Sequence, residues 1–313
     1  MSELAIHRRA PRTDAPPALG GVARLGGRLG LDVPRESWPT APELKRLEAC
    51  GYRWVELHAP PVEMLADPVC VQRHGDCLRA VLAPTSLRVA LHAPDGLQLG
   101  RPLADRAFGG LLDCAVAVGA RVVVCHAGCL PRADGAAAVR AEDRRLAEER
   151  SLRRAAARAE RCGVAIALEN LAPAYPAPPA RRLLAHSVAW VRDLVRRLDT
   201  PAVGLALDLG HAHVTAQLDG LPLVETVAAA LEEVVLFHVH DNLGARSGPG
   251  TPPGIAPLRL DLHLPPGRGT LPWRALAPLL RAHEAPLLME IAAGHRPDPL
   301  RLATVSGELL TRR

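Results

Sequence analysis

The sequence predicts a single-domain α/β protein, a (β/α)₈ TIM barrel. Eight short apolar runs alternate with longer amphipathic segments over most of the 313 residues. The runs are apolar at nearly every position, as expected of parallel strands that are covered on both faces. A doubly wound sheet alternates in the same way, but no Gly-x-Gly-x-x-Gly follows the first run and no linker divides the chain. The alternation therefore favours the closed barrel.

The elements follow from these runs and from helix start and stop signals. Residues 1–24 are polar and contain arginine and proline, which predicts a mobile N-terminal tail, and the barrel is predicted to occupy residues 25–313. Thr40 can cap the first helix and Gly51 can end it. The predicted strands span residues 28–33, 53–58, 87–92, 121–126, 164–169, 203–208, 234–240 and 286–291. The predicted helices span residues 42–50, 76–82, 103–118, 137–161, 187–198, 222–232, 272–283 and 298–310.

Composition narrows the class of protein. The net charge is +5, and Lys45 is the only lysine, so arginine carries almost all of the positive charge. Acidic residues lie among these arginines and no basic stripe with interleaved aromatics is present, so composition gives no support to nucleic-acid binding, without excluding it. The seven cysteines are odd in number and form no Cys-x-x-Cys pair, which favours reduced thiols in a cytoplasmic protein. No secretory signal and no membrane span are expected.

The most informative residues stand at the ends of the predicted strands. Each strand from the third to the eighth ends in a residue that can bind a metal: His92, His126, Glu169, Asp208, His238 with His240, and Glu290. In a barrel these strand ends meet at one mouth. Alone, each of them could equally cap a helix or pair with an arginine. Together, carboxylates around a narrow mouth repel each other unless a cation lies between them. The imidazoles among them favour zinc, manganese or iron over calcium.

Further candidate ligands lie in the loops that follow the strands. His211 stands three residues after the sixth strand and can turn back over the mouth. Asp261 and His263 lie in the loop after the seventh strand, just before a Pro-Pro-Gly-Arg-Gly turn that we expect to hold this loop rigid. His238 and His240 have strand spacing and therefore point to the same face. Which of these two is the ligand stays open, and the other would either support the ligands from behind or contact substrate.

These motifs resemble the xylose isomerase-like TIM-barrel superfamily, which includes sugar (phosphate) isomerases and epimerases and the endonuclease IV family. The resemblance covers about residues 28–295. It rests on Leu-His-Ala-Pro (91–94), Leu-Glu-Asn (168–170), Leu-Asp-Leu-Gly-His (207–211), His-Val-His-Asp-Asn (238–242), Asp-Leu-His-Leu-Pro-Pro-Gly-Arg-Gly (261–269) and Met-Glu-Ile (289–291). The isomerase branch implies one metal held by Glu169, Asp208, His238 and Glu290. The endonuclease branch implies additional ligands, which match His92, His126, His211, Asp261 and His263.

The resemblance implies a divalent-metal-dependent isomerase or epimerase that acts on a sugar, sugar phosphate or polyol-type substrate through an enediolate. Glu169 and Glu290 would be the catalytic base and acid, and His240, Asp241 and Arg268 would contact the small carbohydrate-like substrate. The alternative is an endonuclease IV-like phosphodiesterase with a multi-metal cluster, although Leu-Pro-Pro after Asp-x-His and the lack of that family's longer motifs argue against DNA cleavage. A metal-binding barrel without catalysis is a third possibility. One to three zinc, manganese or iron ions are implied, and a homodimer stays open.

Overall fold

The structure is a computed structural model that describes residues 20–130, 136–174, 182–244 and 261–311. Eight parallel strands pair in chain order and the last closes on the first, so the predicted (β/α)₈ barrel is confirmed. The strands are β1 Leu29–Asp32, β2 Trp54–His58, β3 Arg88–His92, β4 Val122–His126, β5 Ala165–Glu169, β6 Val203–Asp208, β7 Val234–Val239 and β8 Leu287–Met289.

Helices cover the outside of the barrel and begin largely where the sequence signals stand. Thr40 caps the first long helix in a capping box with Glu43, and Gly51 follows its end with a φ of 94°. The helix predicted at residues 76–82 already begins at Pro68, where Asp67 caps it. The described helices are α1 Gly20–Ala23, α2 Ala41–Ala49, α3 Val62–Leu65, α4 Pro68–Leu82, α5 Pro102–Val118, α6 Ala136–Cys162, α7 Val188–Leu198, α8 Leu209–Asp219, α9 Leu223–Ala228, α10 Trp273–Ala282 and α11 Pro299–Thr311.

The connection after β6 differs from the sequence prediction. The sequence indicated a helix only at residues 222–232, where the structure has α9 and a 3₁₀ turn at Leu231–Glu233. An additional helix, α8, begins directly at the end of β6, where Asp208 accepts a hydrogen bond from the backbone N–H of His211 at 2.7 Å. All of residues 209–216 are buried, so this helix shows no amphipathic pattern in the sequence. It places His211 over the barrel mouth.

The start of the described chain is helical, although it was predicted to belong to the tail. Residues 20–23 form α1, which packs against α11. The contact needs glycine on both sides, because a Cβ on Gly21 would lie 2.7 Å from the carbonyl carbon of Gly307. Residues 20–23 therefore pack on the barrel's last helix, and the boundary at residue 24 stays a prediction. Residues 1–19 lie outside the described part of the chain.

The barrel interior has an apolar layer and, nearer the mouth, a polar layer. The apolar layer consists of Trp54, Ala90, Val122, Val124, Ala167, Ala206, Leu236 and Leu288. Successive strand side chains alternate between the two faces, so the residue two positions further along each strand also points into the barrel. On β2 to β7 those residues are Glu56, His92, His126, Glu169, Asp208 and His238, and Glu290 follows directly after β8. The alternation that packs the interior thus builds a ring of acids and imidazoles at the mouth.

Within the described residues, no helix is both long enough and apolar enough to cross a membrane.

Candidate metal centre

One group of four donors lies deep in the mouth, on four consecutive strands. Donor atoms of Glu169, Asp208, His238 and Glu290 all lie within 4.8 Å of one another. His238 Nδ1 is 2.9 Å from Glu169 Oε1 and 3.3 Å from Glu290 Oε2. The same nitrogen is 3.9 Å from Asp208 Oδ2. Three of the four residues are buried, and Glu290, whose side chain is 17% exposed, faces the opening.

A second group lies beside the first and shares Glu169 with it. Glu169 Oε2 is 3.1 Å from His92 Nε2 and 3.2 Å from His126 Nε2, while Oε1 faces His238. His92 and His126 also form a possible donor group with Asp95. Asp95 is exposed, however, and its carboxylate is paired with an arginine side chain. Glu169 is therefore the carboxylate that joins the second group to the first.

A third group lies on the other side of the mouth and contains the loop residues that follow β7. Donor atoms of His211, His240, Asp261 and His263 lie within 4.8 Å of one another. Asp261 Oδ2 is 3.2 Å from His211 Nε2 and 2.8 Å from His263 Nε2. His263 has a φ of 47°, a left-handed conformation that is uncommon for residues other than glycine, and its Nδ1 lies 2.9 Å from the carbonyl oxygen of Glu290.

His240 connects the third group to the first. Its Nε2 is 3.0 Å from Asp208 Oδ2, and its ring stacks on that of His263 with centroids 3.9 Å apart. The backbone makes room for this ring, because a Cβ on Gly210 would lie 2.1 Å from His240 Cε1. Its Nδ1 is buried and has no hydrogen-bond partner among the described residues. One of His238 and His240 is predicted to be a ligand and the other to support the ligands or to contact substrate, and the structure places both within donor groups.

Asp241 and Arg268, which are both predicted to contact substrate, belong to none of the three donor groups. Asp241 is fully buried, and its carboxylate accepts hydrogen bonds from the backbone N–H groups of Asn242, Gly267 and Leu271 and from the indole N–H of Trp273, at 2.7–3.1 Å. This arrangement does not fit a substrate contact. Asp241 instead holds the turn that follows the two loop ligand candidates. Arg268 is exposed on that turn.

The sequence analysis overlooked polar residues on the first two strands. Glu56 on β2 is fully buried, and its two carboxylate oxygens lie 3.1 and 3.2 Å from His238 Nε2. With Nε2 donating to Glu56, Nδ1 of His238 faces the donors of the first group, and its lone pair would bind the ion once a metal replaces the proton. His58 ends β2, and Asp32 ends β1, where it pairs with Arg296. The sequence did contain a sign of these residues. The second predicted strand reads Arg-Trp-Val-Glu-Leu-His, so that Trp54, Glu56 and His58 alternate onto one face.

The charges of the centre are strongly coupled because the groups are buried together. Burial lowers the pKa of His92, but the hydrogen bond to Glu169 and the surrounding acids outweigh it and raise that pKa to about 9. Burial also lowers the pKa of His263, but the neighbouring Asp261 outweighs it and raises that pKa to about 10. For Glu169, burial raises the pKa, while His238 and the hydrogen bonds from neighbouring imidazoles hold it well below its usual value. Protons on the imidazoles can thus balance the acids, and a cation would compete with these protons.

The donor set fits divalent metal ions. Ligands bound about 2.1 Å from a tetrahedral zinc lie roughly 3.4 Å apart, which resembles the donor spacings in all three groups. Glu290 Oε2 is buried without a hydrogen-bond partner among the described residues, although it points at the first group. Carboxylate oxygens mixed with imidazole nitrogens suit zinc, manganese and iron. The nine predicted ligands all fall within the three groups, and their roles as ligands stay predictions.

The chain is a closed (β/α)₈ barrel in which acids and imidazoles cluster where the strands end. The family model described as "xylose isomerase-like TIM barrel" matches residues 44–306. The chain belongs to this family.

Solved structures of low sequence identity share the fold. A D-tagatose 3-epimerase-like protein superposes with a TM-score of 0.65 at 19% identity, covering 90% of this chain and 97% of that chain. The 3-keto-D-glucoside 4-epimerase YcjR from E. coli gives a TM-score of 0.63 at 18% identity, covering 90% and 98%. The IOLI protein with a bound zinc atom gives 0.58 at 18% identity, covering 90% and 95%. No curated protein sequence matches this chain.

Proposed function

We propose that this chain is a divalent-metal-dependent isomerase or epimerase of a sugar or a closely related polyol-type carbohydrate. The observation that carries the proposal is the convergence of Glu169 and Glu290, from β5 and β8, on the same nitrogen of His238. Two carboxylates that approach a substrate from different sides of one mouth can serve as base and acid on its two faces. The fold shared with sugar epimerases supports the same reading.

The chain's own residues divide the work as follows. Glu169, whose carboxylate is held ionised by its imidazole neighbours, takes the proton from the carbon next to the substrate carbonyl. Glu290, on the more open side, returns a proton to the opposite face for epimerisation, or to the neighbouring carbon for isomerisation. The first donor group, which includes Asp208 and His238, would hold a divalent cation, which supplies positive charge for the substrate oxygens.

Hydrogen exchange tests this proposal without knowledge of the natural substrate. The purified, zinc- or manganese-loaded protein is incubated in D₂O with D-fructose, D-tagatose, D-ribulose and their 3-epimers, and deuterium at the carbon next to the carbonyl is followed by NMR. We expect deuterium incorporation into at least one of these sugars. Glu169→Gln and Glu290→Gln should abolish it, whereas Glu160→Gln, an exposed site on α6, should not. Full activity in either active-site variant would contradict the assigned roles.

A second candidate, phosphodiester hydrolysis, is favoured by the second and third donor groups, which a single-metal isomerase does not need. Glu169 contacts donors of both the first and the second group, and Asp208 contacts donors of both the first and the third. Neighbouring groups that share a carboxylate in this way suit a cluster of two or three metal ions. Metal content separates the two candidates, since one tightly bound ion per chain favours isomerisation and two or three favour hydrolysis. Cleavage of an oligonucleotide with an abasic site, without hydrogen exchange on any sugar, would replace the first proposal by the second.

A further inference from the structure

A cavity of about 660 Å³ lies next to the candidate metal centre, among the loops that follow β1, β2 and β3. Its walls include Leu57, Ala93 and Pro94, and Trp38 lies at its side. Its volume falls within the range of about 300–1,000 Å³ that accommodates drug-sized ligands. This space is additional to that enclosed by the three donor groups, because none of the nine ligand candidates lines it.

The cavity joins the metal centre at His58. The ring of His58 lies 5.4 Å from that of His92, centroid to centroid, and His58 also lines the cavity. Ala93, the residue directly after His92, forms part of the wall. A molecule whose reacting carbons lie at the metal centre can therefore extend past His58 into the cavity.

The lining of the cavity is mainly apolar. Trp38 is 50% exposed and Leu103 is 42% exposed, which is unusual for such large apolar side chains. Proline rings and aliphatic side chains form much of the rest, including Val33, Pro34, Pro39, Pro60, Pro61, Val62 and Leu78. The wall offers extensive apolar surface, whereas the hydroxyl groups of a second sugar ring would need many polar partners.

The charges around this cavity balance and do not select an anion. Arg35 lines it, but its guanidinium is paired with Asp95. Arg101 and Glu63 also line it and carry opposite charges. A phosphate group would be expected to have a cluster of unpaired cations instead.

Two of the residues that line this cavity have an imidazole nitrogen without a partner in the described part of the chain. Nδ1 of His58 and Nε2 of His74 are buried and have no hydrogen-bond partner among the described residues. His74 packs its ring edge-on against Trp38, with centroids 5.2 Å apart. His58 stands at the passage between the centre and the cavity, where the atom that links a sugar to another group would lie. If the His58 ring turns so that Nδ1 becomes exposed to the passage, an ether or ester oxygen there can accept a hydrogen bond from it.

We infer that the cavity holds an apolar group of aromatic size that is covalently attached to the sugar, so that the substrate class is an aryl or alkyl conjugate of a keto sugar, whose carbonyl lies on a carbon other than the one that carries the apolar group. This inference rests on the proposed function, because it takes the sugar to lie at the metal centre. The conjugate's apolar part would pack against Trp38 and Leu57, and its linking oxygen would face His58.

A binding experiment tests the inference without turnover. Phenyl β-D-glucopyranoside and methyl β-D-glucopyranoside differ only in the attached group, and their binding to the zinc-loaded protein is measured by titration calorimetry and by quenching of tryptophan fluorescence. We expect the phenyl compound to bind about tenfold more tightly or better, since it buries more apolar surface. Equal affinities, or no measurable binding of the phenyl compound at millimolar concentration, would overturn the inference.

A variant that partly fills the cavity tests whether the phenyl group lies there. Gly96 lines the cavity, a Cβ there meets nothing within 4 Å, and its φ lies outside the left-handed region, so the backbone accepts a side chain at this position and Gly96→Leu is the chosen variant. It should remove the preference for the phenyl compound, as should Trp38→Ala. Gly20→Leu, an equally open site on α1, is the control and should keep the preference. A preference unchanged in Gly96→Leu would place the phenyl group elsewhere and refute the inference.

The two proposals can fail separately. A phenyl preference that Gly96→Leu removes, together with an absence of hydrogen exchange both on every free sugar and on a phenyl conjugate of a keto sugar, retains the cavity assignment and removes the isomerase proposal. Hydrogen exchange that depends on Glu169 and Glu290, together with equal affinities for the two glucosides, retains the isomerase proposal and removes the cavity assignment.

Discussion

The buried carboxylate of Glu56 should control the metal affinity of the centre, although it is not predicted to touch the ion. It accepts a hydrogen bond from His238 Nε2, and this bond fixes the imidazole with Nδ1 towards the donors of the first group. Glu56→Gln keeps the size of the side chain and one accepting oxygen but removes the charge. Glu56→Ala removes the acceptor altogether and leaves the N–H of a fully buried imidazole without a partner.

The expected loss of metal affinity follows from the role of carboxylates that accept a hydrogen bond from a metal-bound histidine. Loss of the hydrogen-bond partner of a metal-bound histidine weakens metal binding by about 10–100-fold, which corresponds to about 1.4–2.7 kcal/mol. We place Glu56→Gln at the lower end because the amide oxygen still accepts the hydrogen bond. Glu56→Ala belongs at the upper end and also destabilises the fold, since it leaves a polar group of His238 unsatisfied and opens a cavity.

Competition with a chromophoric chelator at pH 7.5 measures the zinc affinity of each variant, and circular dichroism checks that the fold is kept. Glu160→Gln, which removes an exposed charge on α6, is the matched control and should bind as tightly as the unmodified protein. A merely structural Glu56 would lower the unfolding temperature of the metal-free variants while leaving the zinc dissociation constant of Glu56→Gln unchanged. That result would refute the argument.

Three further predictions concern pH, burial and the loop. The raised pKa values of His92 (about 9) and His263 (about 10) stabilise the metal-free protein below about pH 6.5, and this stabilisation is lost as the pH rises through 9–10. Metal binding should therefore release protons at pH 7.5, and calorimetric enthalpies that are identical in buffers of different ionisation enthalpy would contradict this. Burial raises the pKa of Glu148 from 4.5 to about 7, so stability falls as the pH rises between these two values and stays lower above pH 7. Glu148→Gln should therefore increase the free energy of unfolding at pH 8 by up to about 3 kcal/mol in urea titrations, whereas a decrease would show that the charge is stabilising. Trp273→Phe removes the 2.7 Å hydrogen bond to Asp241 and should cost about 1.5–3 kcal/mol in the same assay, and an unchanged stability would show that this bond is dispensable.

The grouping of these side chains at one mouth could be anticipated from the sequence because it depends only on the ends of strands, while their roles as ligands stay predictions. His92, Glu169, Asp208 and Glu290 each close an apolar run, and parallel strands in a barrel bring their ends to one mouth whatever the lengths of the loops between them. Glu56 was overlooked because it stands inside a run, two residues before its end. Only the inward alternation along β2, with Trp54 below and His58 above, shows that it reaches the same layer.

The residues expected to contact substrate were harder to predict because their positions depend on how the loop after β7 folds. Asp241 follows two histidines of the mouth in the sequence, yet its side chain turns away and binds N–H groups of the turn and of Trp273. A sequence shows that such a carboxylate is near the site, but the direction of its side chain is decided by which N–H donors lie within reach after folding.

The sequence by itself determined the barrel and the ring of acids and imidazoles, because both follow from the alternation of buried runs and from the polar residue at the end of each run. Only the tertiary structure decided the contact between Glu56 and His238, the sharing of Glu169 between two donor groups, and the apolar cavity beside His58. These features depend on distances of a few ångströms between strands and loops that are far apart in the chain, and such distances are set by the register of the closed sheet and by side-chain packing.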